Sequence, residues 1–473
     1  YKVTGVQTCA LPISVFSESL AFPQQKRRAV SARSFRVKIP SSNSTSFTPE
    51  QTIQVDLPGN LAGQYYNFNQ MYLKMKVTAD AACILDRAGA LGFIKRLQIS
   101  TAGAQLCDIN NWNVLATAML DTDASCEYKA GYGKQLLGTL GDSLRGVEIA
   151  AGAANALTFC IPMVLNPLAM TQPHRMIPAF ALSSLQVRAT LDSAASAVRV
   201  SAGTVAPGLA FSEVEMVCYM TELSPEASRM IDASTGGKYN ILASSFINSG
   251  ATRPAGITAV TSNLGFSVSS CERILAIHRP VDSVDKAEFY SLGNRGTAGM
   301  SEYQYLINSQ SYPARPVLIA NEGAESLAET LVADHALVDF KKSCAFNNGF
   351  VAVGTLGVGT SALTGNAPDV AKSGCFMLNA PAGGTAGEQA AAGTGAAVSD
   401  IGTFLVSTEL ESGISDGKSN TIYSGISTIS SVVQWVGKYA DATAAAFQID
   451  FYCQHTVLLS LDMRSSGVWS VSV

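Results

Sequence analysis

Residues 211–234, FSEVEMVCYMTELSPEASRMIDAS, lie near the middle of the chain and change character within a few positions. Val214, Met216, Cys218 and Met220 alternate with Glu213, Glu215, Tyr219 and Thr221. An apolar residue at every second place gives a strand one apolar face. Ser224-Pro225-Glu226 then supplies a helix N-cap, followed by proline at the first helical position, where its missing N–H leaves no bond unmade. Leu223, Ala227, Met230 and Ile231 give a short helix an apolar face, and Gly236-Gly237 ends it. Similar lengths of chain flank this point, and both read as β-sandwich. The prediction is two similar β domains joined by a strand that runs into a capped helix.

Size and composition agree with that division. A chain of 473 residues is too long for one ordinary core. Its apolar fraction of 47% is ample for packed interiors, while the charged fraction of 14% is low against a usual value of roughly a quarter. A net charge of −4 excludes a nucleic-acid binder that works by overall electrostatics. No apolar run reaches the about 18 residues of a transmembrane helix. The ten cysteines are scattered singly, with no C-x-x-C pair, and read as buried free thiols in a reducing compartment. No secretory signal is visible, so the sequon Asn43-Ser44-Thr45 is expected to be unused.

Residues 1–14, YKVTGVQTCALPIS, resemble the translation of a sequencing-library adapter, so they carry no fold information and the natural start reads as lost or altered. Residues 15–49 read as an N-terminal arm. Lys26, Arg27, Arg28, Arg33, Arg36 and Lys38 lie in it, with no acidic residue between Lys26 and Lys38. Such a cluster suits contact with phosphates or an anionic lipid surface, and equally suits a solvated tail.

The β pattern begins at TIQVDLP and continues through YLKMKV at 72–77, GFIKRLQIS at 92–100 and 105–109, with a helix predicted over 111–119. Residues 121–152 form a long excursion. Strands follow at 157–165, 185–191, 197–201 and 209–223, giving a first domain over 50–223 and a connector over 224–237. The second domain, 238–473, repeats this grammar. Strands are expected at 238–247, 265–268, 273–277 and 303–307, with a turn at Asn308-Ser309, a return over 312–318 and a helix over 323–332. This is the strand, turn, strand, helix order of 92–119. Further strands are expected at 349–359, 374–378, 404–410, 431–439 and 447–461, and a tail at 467–473. The low-complexity run APAGGTAGEQAAAGTGAAVS at 380–399 can bury little and is expected to be exposed. Each half thus offers about eight strands, the count of a jelly roll.

Catalytic patterns are missing. His174, His278, His335 and His455 form no metal spacing; Cys453 and His455 share a strand face, but packing explains them better than a metal. STGGK at 234–238 lacks the hydroxyl residue that follows the lysine of a phosphate loop, with Tyr239 in its place. There is no G-x-S-x-G. No cofactor is expected and the chain does not read as an enzyme.

With YLKMKV, IKRLQISTAGAQLCDINNWNVL, TELSPEASRMID, YQYLINSQSYPARPV and HTVLLSLDMRSSGVWSV in this order, the chain resembles the double jelly-roll major capsid proteins of tailless icosahedral viruses, the polinton-like viruses, virophages and small phages. That resemblance implies an all-β fold of two tandem eight-stranded jelly-roll β-sandwiches with short helices in the connections. It implies homotrimers with a six-lobed, pseudo-hexameric outline that build an icosahedral shell around the genome, located in the virion capsid. The implied partners are other copies of the chain, vertex penton and minor capsid proteins, and genome or an internal membrane reached through the basic residues of the arm. The rival reading is a β-sandwich adhesin or carbohydrate-binding surface protein, which would display exposed aromatics; a β-rich hydrolase is a further one.

Overall fold

The computed structural model describes residues 32–59, 61–101, 104–124, 128–140, 145–171, 176–181, 185–200, 204–293, 295, 300–318, 406–410, 425–439, 446–462 and 469–472. In the first lobe the strands are β1 (Ala32–Pro40), β2 (Ser46–Phe47), β3 (Thr52–Leu57), β4 (Gln64–Ala79), β5 (Cys83–Asp86), β6 (Ile94–Ser100) and β7 (Gln105–Ile109). Helix α1 (Trp112–Asp123) follows, then β8 (Arg145–Ile149), β9 (Leu157–Pro162), β10 (Ile177–Pro178), β11 (Leu185–Leu191), β12 (Val198–Val200) and β13 (Leu209–Leu223). Helix α2 (Pro225–Thr235) connects to the second lobe. There β14 (Lys238–Arg253), β15 (Ala259–Leu264), β16 (Cys271–Pro280), β17 (Met300–Ile307) and β18 (Gln310–Leu318) precede β19 (Val406–Glu409), β20 (Val433–Tyr439), β21 (Phe447–Asp462) and β22 (Trp469–Ser472).

The sheet order defines the topology. In the second lobe one sheet runs β14-β21-β16-β19 and the other β15-β20-β17-β18. Numbered from the lobe's own start, the sheets read 1-8-3-6 and 2-7-4-5. First pairs with eighth, second with seventh, third with sixth, fourth with fifth, and the short β22 adds to β21: a long antiparallel hairpin rolled around a core, which is the jelly roll. The first lobe has the same order, β1-β13-β4 with β9 and β10 beside β4 in one sheet, and β3-β11-β6-β7 in the other. A small sheet, β12-β5-β8, is added to it. No described sheet contains strands of both lobes. The fold is a double jelly roll.

Local chemistry explains the elements. In β3 the buried residues are Ile53, Val55 and Leu57, the alternate positions that the pattern gives. β17 and β18 meet at Asn308-Ser309, both at positive φ (53° and 65°). A two-residue hairpin loop whose twist matches its strands requires this, and asparagine tolerates it. The second core is built around Trp435, stacked on Tyr303 at 5.1 Å and edge-on to Tyr305 at 5.0 Å and Phe451 at 5.4 Å. Aromatic pairs of this kind add about 0.5–1.5 kcal/mol each beyond the area they bury. The first core has Phe93 edge-on to Phe211 at 5.2 Å.

Several expectations are corrected. Residues 32–40, read as part of the arm, are β1 and pair with β13 along their whole length, Ala32 with Leu223 through Pro40 with Glu215. The first jelly roll therefore starts within 15–49, not at 50. Residues 265–268 are not a strand: Phe266 and Val268 are buried, but the Val268 backbone bonds to Thr428 rather than to a ladder. The strand lies just before, at β15. β4 and β14 extend well beyond 72–77 and 238–247. The excursion at 121–152 includes β8, and β5 and β10 were not foreseen. The expectations for 1–14, 323–332, 349–359, 374–378 and 380–399 lie outside the described residues, as do Lys26, Arg27, Arg28, His174 and His335. No helix among the described residues is long and apolar enough to cross a membrane.

Candidate functional site

The surfaces that matter for a double jelly roll are the seam between its lobes, the connector, and the outward sheet faces. β16 is buried at all ten residues. One face looks into its own lobe: His278 lies 6.1 Å from the Trp435 ring, and the His278 imidazole Nε2 and Tyr439 hydroxyl are 3.2 Å apart. The other face carries Arg279, on the side of the sheet where Asp450 and Tyr452 of the neighbouring β21 bond to the first lobe. A strand covered on both sides requires a partner for every polar side chain, and CERILAIHRP carries Glu272, Arg273, His278 and Arg279 among its apolar residues.

Arg279 is the one whose partner reaches the first lobe. Its Nη2 and Nε donate to Asp450 Oδ2 on β21 at 2.8 and 3.1 Å, with both side chains at most 4% exposed. Asp450 Oδ1 accepts from Gln448 Nε2 at 3.2 Å and, across the seam, from Asn111 Nδ2 at 3.1 Å. The Tyr452 hydroxyl donates to the Asn111 carbonyl at 2.8 Å. Asn111 is the left-handed residue (φ 49°) that starts α1, and its side chain makes no cap bond. It serves the seam instead. Burial works against the Arg279 charge, but the neighbouring Asp450 outweighs it and holds the guanidinium more basic than usual.

A second contact sits at Asp86 on β5. Its Oδ2 accepts from the backbone N–H of Leu292 and Gly293 at 2.9 Å each, and its Oδ1 from Arg87 N–H at 2.6 Å. A Cβ on Gly293 would fall 2.5 Å from Asp86 Oδ1, so only glycine permits this approach. Burial pushes the Asp86 carboxyl above the usual carboxylate range, and the backbone donors oppose that. Val200 N–H donates to Ala287 O at 2.7 Å, Arg199 Nε to Glu288 O at 3.1 Å, and Ser244 N–H to Met170 O at 3.1 Å. These bonds tie three separate stretches of the first lobe to the second.

The connector has the predicted caps. Ser224 Oγ accepts from Ala227 N–H at 3.3 Å, Pro225 opens the helix, and Gly236 closes it at φ 64°. Its packing differs from the expected apolar face. Ala227 and Ile231 are half-buried, whereas Met230 is 74% exposed. No described residue of α2 is fully buried, because only one side of the helix has a neighbour. Between α2 and the lobes lies a cleft of about 490 Å³ lined by Tyr65, Met176, Leu223, Ile231, Tyr239 and Ile241 among others.

Of the arm's basic residues, Arg33, Arg36 and Lys38 lie on β1. Arg33 Nε pairs with Glu222 at 2.5 Å, the Arg36 guanidinium lies 5.7 Å from the Tyr219 ring centre, and Lys38 Nζ is 3.8 Å from Glu215. Lys74 and Lys76 on β4 pair with Glu215 and Glu213 at 3.5 and 3.1 Å. Arg36, Lys38, Lys74 and Lys76 share the outward face of β1-β13-β4 with Glu213, Glu215 and Tyr219, whereas Arg33 and Glu222 lie at the end of the face that carries Phe35 and Met220. The structure thus brings half of the predicted basic cluster onto a sheet, Arg33 and Lys38 with carboxylate partners and Arg36 with an aromatic one. The seam residues Asn111, Asp450 and Arg279 were not singled out in the sequence. Their one signal is a charge inside an apolar strand, FQIDFYC and LAIHRP.

No family model matches the chain, and no curated protein matches it. Solved structures do. The chain is similar to PBCV-1 VP54, fitted into a reconstruction of the virophage Sputnik, at TM-score 0.57 and 9% identity, over 96% of this chain and 99% of that one. It is similar to the Faustovirus major capsid protein at TM-score 0.54 and 7% identity, over 92% of each chain. The mavirus major capsid protein matches at TM-score 0.51 and 9% identity, over 98% of this chain and 95% of that one. At such identities the likeness is one of fold, and it spans both jelly rolls.

Proposed function

We propose that this chain is a viral major capsid protein. It self-assembles as pseudo-hexameric trimers into an icosahedral shell enclosing the genome, and its place is the virion capsid. The observation that carries this reading is the pair of jelly rolls with one strand order, locked side by side, matched end to end by structures described as major capsid proteins. Two lobes of one topology per chain give six similar lobes in a closed trimer, which suits a hexagonal lattice position. The role is structural and not enzymatic. The domain division that supports it is a first jelly roll from β1 to β13, a connector over 224–237 and a second jelly roll over 238–473.

The partners proposed are other copies of the chain, with penton and minor capsid proteins at the vertices. Lys26, Arg27 and Arg28, and secondarily Arg33, Arg36 and Lys38, are proposed to meet genome phosphates or an internal membrane. The second group already has carboxylate and aromatic partners, so its share of the contact is smaller. The adhesin reading finds little support in the aromatics: Trp112 and Trp435 are buried and offer no sugar platform. Electron microscopy and sedimentation of the purified chain test the proposal. Six-lobed trimers or shells are expected; monodisperse monomers that bind glycans would overturn it.

A further inference from the structure

Cys271 on β16 and Cys453 on β21 stand with their sulfurs 2.9 Å apart. Both residues are fully buried. Their meeting depends on one irregularity. From Ile274↔Cys453 and Arg273↔Gln454, an unbroken ladder would set Cys271 opposite Thr456. Side chains alternate between faces along a strand, so Cys271 would then share a face with Gln454 and point away from Cys453. The register shifts between Cys271 and Arg273, and Cys271 lies opposite His455 instead. The bulge takes up Glu272 as the extra residue and turns Cys271 to the face that carries Cys453. Glu272 itself is held by Ser244, Gln454 and Thr456, with Oε2 accepting from Gln454 Nε2 at 2.6 Å and Oε1 from Thr456 Oγ1 at 2.8 Å. These bonds fix the bulge and therefore the sulfur pair. The other described cysteines, Cys83, Cys107, Cys160 and Cys218, sit on four different strands of the first lobe.

We propose that Cys271 and Cys453 form a buried dithiol that a two-electron thiol oxidant converts into an intrachain disulfide joining β16 to β21. In this step two S–H bonds break and one S–S bond forms; two protons and two electrons pass to the oxidant. The sulfurs must close by less than 1 Å to reach the bond length of about 2.05 Å. In the reduced state Cys453 stays a thiol, since burial pushes it well above its ordinary value. The two positions are 182 residues apart, so the link closes a long loop in the unfolded chain and favours the folded state. It joins the strand that bears Arg279 to the strand that bears Asp450, and so braces the sheet on which the seam rests.

The test treats the folded full-length chain with diamide, whose azo bond accepts the two hydrogens, then quenches free thiols with an alkylating agent and maps peptides without reduction. A linked peptide pair containing Cys271 and Cys453, lighter by two hydrogens than the sum of its parts, is expected, with the loss of two alkylatable thiols per chain. The oxidised protein should melt at a higher temperature than the reduced one, and Cys271→Ser should abolish both the link and the shift. Should that variant not fold, the map of the unaltered chain decides alone. Alkylation of both cysteines after diamide treatment, or a link from Cys453 to any other cysteine or to a second chain, overturns the proposal. A linked pair with an unchanged or lower melting temperature overturns the bracing role.

Discussion

β4 and β16 hold the same place in their lobes, third in order and beside the eighth strand, yet their environments differ. β4 alternates, with Met71, Leu73, Met75 and Val77 buried and Lys74 and Lys76 on the other face paired to glutamates. β16 is buried at every residue. One topology has therefore been put to two uses. The first lobe turns this sheet outward and shows alternation; the second covers it on both faces, so its buried polar side chains need partners, as Glu272 has in Ser244, Gln454 and Thr456 and Arg279 has in Asp450. Fusing two jelly rolls makes the halves alike in connectivity and unequal in contact. The seam is where they part.

The sharpest way to break this comparison is to remove a matched charge. Asp450→Ala leaves Arg279 buried without its carboxylate and takes a partner from Asn111, and a loss of about 3–5 kcal/mol is expected in denaturant unfolding. A loss below about 1 kcal/mol would mean that water reaches the seam and that β16 is no more enclosed than β4. Acid is a gentler probe of the same lobe. Burial, assisted by the charge of Arg253, lowers His278 from its ordinary 6.5 to about 3. Burial likewise lowers His455 to about 4, against a backbone bond that favours the charged form. Both groups are neutral when folded, whereas the unfolded chain binds protons below about pH 6.5. Their contribution to stability is therefore complete above about pH 6.5 and is lost progressively as the pH falls toward about 4 and then about 3. Urea midpoints measured at about pH 7 and about pH 5 should fall, and the fall should shrink in His278→Gln. A midpoint independent of pH would show that these histidines are solvated. The smallest effect is expected on the outward face. Lys76→Ala breaks an exposed pair with Glu213 and should cost at most about 1 kcal/mol. A larger cost would mean that this face is itself covered, and the contrast with β16 would narrow.

Local patterns were legible where one residue's neighbours along the chain settle its state. The bounds of β7, β11 and β13 were readable to the residue, and so were the Ser224-Pro225 cap, the Gly236 stop and the Asn308-Ser309 turn. β13 and β21, noticed as long apolar strands that close each half, are the eighth strands of the two rolls. β1 was hidden because its charged residues look like an arm until β13 supplies Glu222, Tyr219 and Glu215 as partners. α2 was predicted with Met230 on its packed face, but a helix with a neighbour on one side leaves the other side to water.

The sequence by itself determined the strand periodicity and the caps and turns, because these rest on interactions within a few residues. Only the tertiary structure decided which face of each sheet is covered and which charges are paired. Arg279 and Asp450 are 171 residues apart, and Asn111 and Asp450 are 339 apart. No periodicity connects positions at such separations. A polar side chain in an apolar strand shows that a partner is required, and only the packing of one lobe on the other says which residue it is.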